Sequence, residues 1–400
     1  MRRLLAQPDF RRLWLVGGFA NSTRWLEVLA AALFTYQTTD SALAVTVVTA
    51  ARMLPMLLLG AFAGALSEVL NRKHILTGGL LVTAGSAAAV ASLAAAGLVQ
   101  PWHVALCAFV SGSVWASEMA TRRRMIGEAA GAGEIARALA LDSVTNSGTR
   151  MIGPVLGGLA FQHLGLAGAF ACTALVHLLG AALVAGLRYE QQVRGFAGFR
   201  VIRDIGAGLA AARTRPLVLM VFSVTMIMNL FAFSYAGLLA PIGQGHFGVS
   251  PTLVGVLAAA EPLGAILGGL ALAGGYLRMG HRLTFLGGSA LFMAALAGMS
   301  VTPSFGLAAG LLFLGGFGTA GFSNMQSALI LTEAPPEMRS RLMGILSVCI
   351  GTQPLGVLAA GALSSRLEPT GAVLALSCVG LVCLALAALR FGRGPRCTRT

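Results

Sequence analysis

The sequence predicts an all-α polytopic membrane protein in which twelve transmembrane helices form two six-helix bundles, and three observations predict it. Of the 400 residues, 56% are hydrophobic and only 10% are charged, whereas a soluble domain carries about a quarter of its residues charged. The apolar residues gather into runs, each near the ~20 residues that a helix needs to cross the hydrocarbon. Most of the 28 basic residues then stand in alternate gaps between those runs, the asymmetry described by the positive-inside rule. Topology therefore accounts for the net charge of +14, and no basic stretch is interleaved with exposed aromatics as a nucleic-acid surface requires.

In order, the runs cover about 12–35, 43–66, 75–97, 102–122, 137–160, 167–187, 216–239, 252–274, 283–301, 306–331, 342–363 and 370–390. The first is too long for a cleaved signal and holds Arg24 and Glu27. A cytoplasmic N-terminus puts Arg2, Arg3, Arg11 and Arg12 inside, then Arg72 and Lys73, then Arg122, Arg123, Arg124 and Arg137. The pattern continues to Arg390, Arg393, Arg396 and Arg399, against Arg366 alone outside. Both termini are thus expected in the cytoplasm, with the chain in a bacterial inner membrane.

The longest polar gap carries six arginines near mid-chain. It divides the chain into an N-terminal bundle (1–187), a cytoplasmic linker (188–215) and a C-terminal bundle with a short basic tail (216–400). Part of the linker, with Phe196, Phe199, Val201 and Ile202 set against Arg200 and Arg203, reads as an amphipathic helix on anionic lipid. The halves resemble a degenerate repeat: Gly64 and Arg72 are echoed by Gly274 and Arg282, Glu134 by Glu337, and Pro154 with Gly157 by Pro354 with Gly356. In the second half Arg278 stands where Glu68 stood.

Between the second and third runs, Gly64 to Lys73 packs a small residue, a carboxylate and two cations into ten positions. Glu68 precedes Arg72 by four residues and is placed to pair with it, or to accept from the free N–H groups of a helix beginning at His74. The spacing resembles the loop between helices two and three of the major facilitator superfamily, roughly G-x-L-[A/S]-[D/E]-x-x-[G/N]-R-[K/R], with Gly64, Leu66, Glu68, Arg72 and Lys73 matching. Thr39 to Val45, Ala51 to Pro55 and Glu333 to Gly344 are similar to the branch that includes the enterobactin exporter and related drug-efflux proteins. The resemblance implies the major facilitator fold and a cytoplasmic latch that steadies one end state. It also implies that Glu118, at the end of the fourth helix, joins the latch by binding Arg72, with Asp142 on the far side of a loop holding Arg122, Arg123 and Arg124; plain surface solvation is the alternative. Gly153, Pro154, Gly157 and Gly158 resemble the core of the antiporter motif, G-P-x-x-G-G. Physically they let helices approach and bend.

A charge inside hydrocarbon needs a partner or a wet cavity. Arg24, Glu27, Arg52, Arg150 and Glu261 fall well inside the runs. At 1.5 Å per residue Glu27 lies roughly 22 Å from Arg12, and Arg52 roughly 14 Å from Leu43, which gives them similar depth on adjacent helices. Glu27 is expected to pair with Arg52 or with Arg24. Such a group is either a substrate and proton site or a static lock between helices. Arg150 and Glu261 lie near the midplane, and Pro262 kinks the helix at the carboxylate. In the superfamily their helices abut across the halves, so they are candidates for a cross-half pair; two separately solvated charges are the alternative.

The helices that line the cavity in that superfamily offer Asn21, Trp115, Asn229, Phe231, Tyr235, Asn324 and Gln326 here. Few polar groups on an apolar wall suit a large amphipathic solute, although each also serves as packing between helices. No G-x-x-x-x-G-K-[S/T] is present, and Lys73 is the only lysine. No metal-ligand spacing, cofactor motif or recurring nucleophile and base is found, so an enzyme is not expected. The expectation is a monomeric secondary transporter that exports a small organic molecule, a siderophore-like metabolite or a hydrophobic drug, against inward proton flow. An importer of a metabolite or metal chelate and a non-transporting receptor are the alternatives.

Overall fold

A computed structural model describes residues 2–131, 133–189, 212–213, 215–275 and 280–391, apart from the side chains of residues 2–3, 59–69, 120, 336–337 and 340. The described residues are helical almost throughout. The helices are α1 (Arg2–Ala6), α2 (Pro8–Thr39), α3 (Ala42–Val69), α4 (Arg72–Ala95), α5 (Pro101–Ala130), α6 (Ile135–Ala185), α7 (Pro216–Ile227), α8 (Pro251–Ala273), α9 (His281–Val301), α10 (Phe305–Glu333), α11 (Pro336–Ile350) and α12 (Gln353–Phe391). Five of them, α2, α5, α7, α8 and α11, begin on proline, whose missing N–H costs nothing in a first turn.

Eight helical stretches are long and apolar enough to cross a bilayer, and two of them run for 51 residues. A straight helix of that length would measure about 75 Å, over twice the hydrocarbon thickness, so each must turn back. They turn at Gly165 (φ 64°, ψ −171°) and at Glu368 (φ 58°, ψ 165°). Counting these as two spans each, and adding the more charged α2 and the incompletely described α3, gives the twelve spans expected. The two turns are 203 residues apart, 368 minus 165, and Glu134 and Glu337 are separated by the same interval. The same positive-φ turn thus recurs at that interval, on Gly165 in one case and on Glu368 in the other.

The seventh span departs from a regular helix. After Ile227 the backbone widens to π geometry over Met228–Ala232, tightens to 3-10 over Phe233–Leu238 and widens again over Pro241–His246. Pro241 cannot donate to the ladder, and the Asn229 amide donates to Thr225 O at 2.8 Å, so local bonding competes with the α register.

The chain forms two compact units. Unit 1 comprises Met1–Ala197 and Leu239–Ala259; unit 2 comprises Gly198–Leu238 and Ala260–Thr400. The predicted linker lies almost wholly outside the described residues, including its amphipathic stretch, as does Arg278.

Unit 1 has two apolar cores stacked along its length. Phe10, Leu13, Val16, Leu76, Leu80, Met125, Ile126, Ala181 and Val184 make the one nearer the start of α2. Leu26, Leu29, Leu33, Val45, Ala87, Val90, Val104, Phe161, Phe170, Ala174 and Val254 make the other. Between them each helix changes character: α2 at Arg24, α4 at Thr83, α5 from Ser111 to Glu118, and α6 at His177. Gly157 seats α6 on α2, because a Cβ there would stand 2.8 Å from Leu26 O and 2.9 Å from its Cα.

Unit 2 repeats that contact, with Gly356 seated on the backbone of Leu230. Its interior is aromatic: Phe285 stacks on Phe322 at 5.5 Å, and Tyr235 meets Phe292 edge-on at 5.8 Å.

Candidate functional site

The polar layer of unit 1 holds a small, partly open pocket of about 20 Å³, room for little more than a water molecule. Asn21, Arg24 and Glu27 reach it from α2, Arg52 from α3, Thr83 from α4, Trp115 and Glu118 from α5, and His177 from α6. It is therefore bounded by helices of a single bundle. Helical spacing brings the α2 residues together, since positions three and four apart share a face.

Glu27 is 1% exposed and its carboxylate is fully engaged. Oε2 lies 2.8 Å from Arg52 Nη2, a charge contact without an aligned N–H. Oε1 accepts from Ser111 Oγ at 3.2 Å and from Cys107 Sγ at 3.4 Å. Of the two cations offered by the sequence, Glu27 thus faces Arg52. Arg24 instead lies over the Trp115 ring at 4.4 Å and the Trp25 ring at 5.1 Å, because its side chain leaves α2 toward α5 where indole faces are available. Arg150 lies 5.9 Å from the same Trp25 ring.

A second buried network closes the pocket toward the start of α2. Arg122 donates to Asp142 at 2.6 and 3.4 Å and lies 3.8 Å from Glu118. Its guanidinium occupies the notch left by Gly17. The three arginines expected in a loop are helical, because α5 runs on to Ala130. The pattern Arg122, Met125, Ile126, Ala130 keeps one face inward and leaves Arg123 and Arg124 exposed.

The latch is built from other partners than expected. Arg72 is 4% exposed and donates to Glu128 at 2.9 and 3.1 Å and to the Tyr189 hydroxyl at 2.8 Å. Tyr189 in turn donates to Glu128 at 2.6 Å. Glu118 stands ten residues short of Glu128 on α5, about 15 Å along the axis, and so serves Arg122 instead. Lys73 Nζ caps Leu187 O at 2.8 Å. The α4 helix begins at Arg72 rather than His74, with Asn71 Oδ1 accepting from Lys73 N at 2.9 Å. The side chains of Glu68 and Glu337 lie outside the described residues, and Gly64 falls in the same stretch as Glu68.

Burial pushes the Glu128 carboxyl up, but the Tyr189 hydroxyl, the Arg72 charge and Arg124 outweigh it and hold the group below its usual range. Tyr189 is raised, by burial first and then by its bond to that carboxylate.

In unit 2, Glu261 is 1% exposed on α8 and accepts from Thr319 Oγ1 at 2.6 Å. Gln326 accepts from Thr225 Oγ1 at 3.3 Å, joining α10 to α7. Asn229 and Asn324 donate to carbonyls of their own helices, Thr225 O and Ala320 O, each at 2.8 Å. Phe231 packs its Cβ against Gly380, while Tyr235 belongs to the aromatic core. In unit 1, Gly153 fits beside Trp25 Cβ, and Gly158 and Pro154 lie against the backbone of Pro251 and of Gly255 respectively.

Glu128, Tyr189 and His177 were not singled out from sequence. Glu128 was readable once α5 was extended along its apolar face. Tyr189 carries no local signal, since its partners are 61 and 117 residues away, and His177 reads as a lone histidine in an apolar run, bonded only to the Thr173 carbonyl of its own helix.

The family model described as transmembrane secretion effector matches residues 4–395. The multidrug efflux pump Tap of Mycolicibacterium fortuitum is 28% identical over 93% of this chain and 94% of its own length. A bacterial homolog to the human lysosomal transporter Spinster, in an inward-facing and occupied conformation, superposes with a TM-score of 0.75 at 14% identity, covering 96% of this chain and 95% of its own. The nucleoside transporter NupG gives a TM-score of 0.68 at 14% identity over 96% and 99% of the two chains.

Proposed function

This chain belongs to the transmembrane secretion effector family of the major facilitator superfamily, and we propose that it exports a small organic molecule in exchange for protons by alternating access. The observation that carries the reading is the Glu27–Arg52 pair, 2.8 Å apart with side chains 2% and 9% exposed, inside a lipid-spanning bundle. Charges at that depth are costly and are retained where a solute or a proton must be handled. Arg24, Arg150 and Glu261 complete the coupling set. The likeness to a multidrug pump supports a hydrophobic drug as cargo, and a siderophore-like metabolite is the natural counterpart. Alternating access makes use of helices that bend and approach closely, which Gly153, Pro154, Gly157 and Gly158 permit. The chain acts as a monomer in a bacterial inner membrane, with both termini and the Arg72 latch on the cytoplasmic side.

Inverted membrane vesicles test this. Acidifying the lumen should drive accumulation of ethidium, a protonophore should abolish it, and Glu261→Gln should lose it while still inserting. Accumulation that ignores the proton gradient removes the coupling. Uptake only into right-side-out vesicles makes the chain an importer, and no flux of any candidate solute in either orientation makes it a receptor.

A further inference from the structure

The imidazole of the pocket has no part in the ion pairs. His177 is 6% exposed and stands mid-span on the second half of α6; the other five histidines, His74, His103, His163, His246 and His281, lie at or near helix ends. Its Nδ1 is 2.8 Å from Thr173 O. A carbonyl only accepts, so Nδ1 carries the hydrogen and Nε2 keeps its lone pair. The ring lines the pocket, and among the described residues Nε2 has no donor.

We propose that His177 is the proton-binding residue of this pocket, taking up a proton at Nε2. The charged groups around it come from every side: Arg24 and Glu27 on α2, Arg52 on α3 and Glu118 on α5, while α4 contributes only Thr83. Glu27 is bound by Arg52, Ser111 and Cys107, and Glu118 faces Arg122. An imidazolium would add a further cation to this set. It competes with Arg52 for Glu27 and repels both Arg52 and Arg24, so proton uptake loosens the contact that ties α3 to α2. Two arrangements that differ in what holds Glu27 are the kind of element a proton can bias. The inference deepens the export reading and rests on it only for its consequence in transport.

The test uses purified full-length chain in detergent without any solute. Proton uptake is counted by back-titration between about pH 8 and 5, the window in which an imidazole titrates. His177→Asn, whose amide can still donate toward Thr173 O, should take up one proton fewer per chain than wild type, with unchanged far-UV dichroism. Indole fluorescence should follow the same step, since Trp115 lines the pocket. The step should vanish in His177→Asn and in Trp115→Phe and survive in His163→Asn. Should His177→Asn fail to fold, a chain with the other five histidines replaced by asparagine must still show the indole step, which the α-amino group and the surface carboxylates titrating in the same window do not produce. Equal uptake by wild type and a folded His177→Asn, or loss of the indole step in the five-fold variant, overturns the proposal. Uptake at His177 together with dye flux that ignores the proton gradient would leave this assignment standing and remove proton-driven export.

Discussion

Replacing Glu27 with Gln removes one charge and leaves nearly every atom in place. The Gln side chain can still accept from Ser111 and Cys107, so the loss falls on Arg52, whose guanidinium is 9% exposed and 2.8 Å from the carboxylate. Breaking a buried pair from one side costs about 3–5 kcal/mol, because the remaining charge is left uncompensated. For a unit of about 200 residues, at about 2–4 °C per kcal/mol, that lowers the unfolding midpoint by about 6–20 °C. Arg52→Met should cost a similar amount by orphaning the carboxylate. The double variant should recover most of either loss, since replacing both partners by uncharged groups is often nearly neutral. The assay is thermal unfolding of the detergent-purified proteins, followed by dichroism and by labelling of the buried Cys107. Two single variants within about 1 kcal/mol of wild type, or losses that simply add in the double, would show that the pair does not hold α3 to α2 and refute the reasoning.

Gly157→Ala should destabilise unit 1 by about 1–3 kcal/mol, since the new methyl meets backbone atoms of Leu26 at 2.8–3.2 Å that cannot rotate away. Gly356→Ala should do the same in unit 2, and matching losses of yield and melting temperature would check both. Glu368→Gly should raise stability by about 1 kcal/mol, because the exposed side chain makes way for a residue at ease with φ 58°; an unchanged or lower midpoint argues against strain there. The depressed Glu128 carboxyl contributes stability that is present above its unfolded value of about 4.3 and is lost as pH falls through the lower folded value. The gap in melting temperature between wild type and Glu128→Gln should therefore be widest near neutrality and close on acidification below about pH 4.

Architecture was legible because it follows from composition and period. Lipid contact demands apolar faces, and the basic gaps mark alternate ends, so the spans needed no knowledge of packing. The latch was half legible. Arg72 and Lys73 announce themselves by spacing, but Glu128 and Tyr189 come from 56 and 117 residues away, and only the length of α5 decides between Glu118 and Glu128. Depth along a helix placed Glu27 and Arg52 at one level; the azimuth that sends Arg24 to Trp115 depends on side-chain packing that periodicity does not encode. His177 is hidden for the same reason, as a lone histidine in an apolar run with its partner carbonyl one turn behind.

Proton-driven export is tested most directly by purified chain reconstituted alone into liposomes, with ethidium and proton fluxes recorded together. The account predicts dye movement against the imposed proton gradient, a matching proton counterflow that collapses with a protonophore, and loss of both in Glu261→Gln. Dye movement with no proton counterflow, or counterflow that is the same without dye, would contradict it.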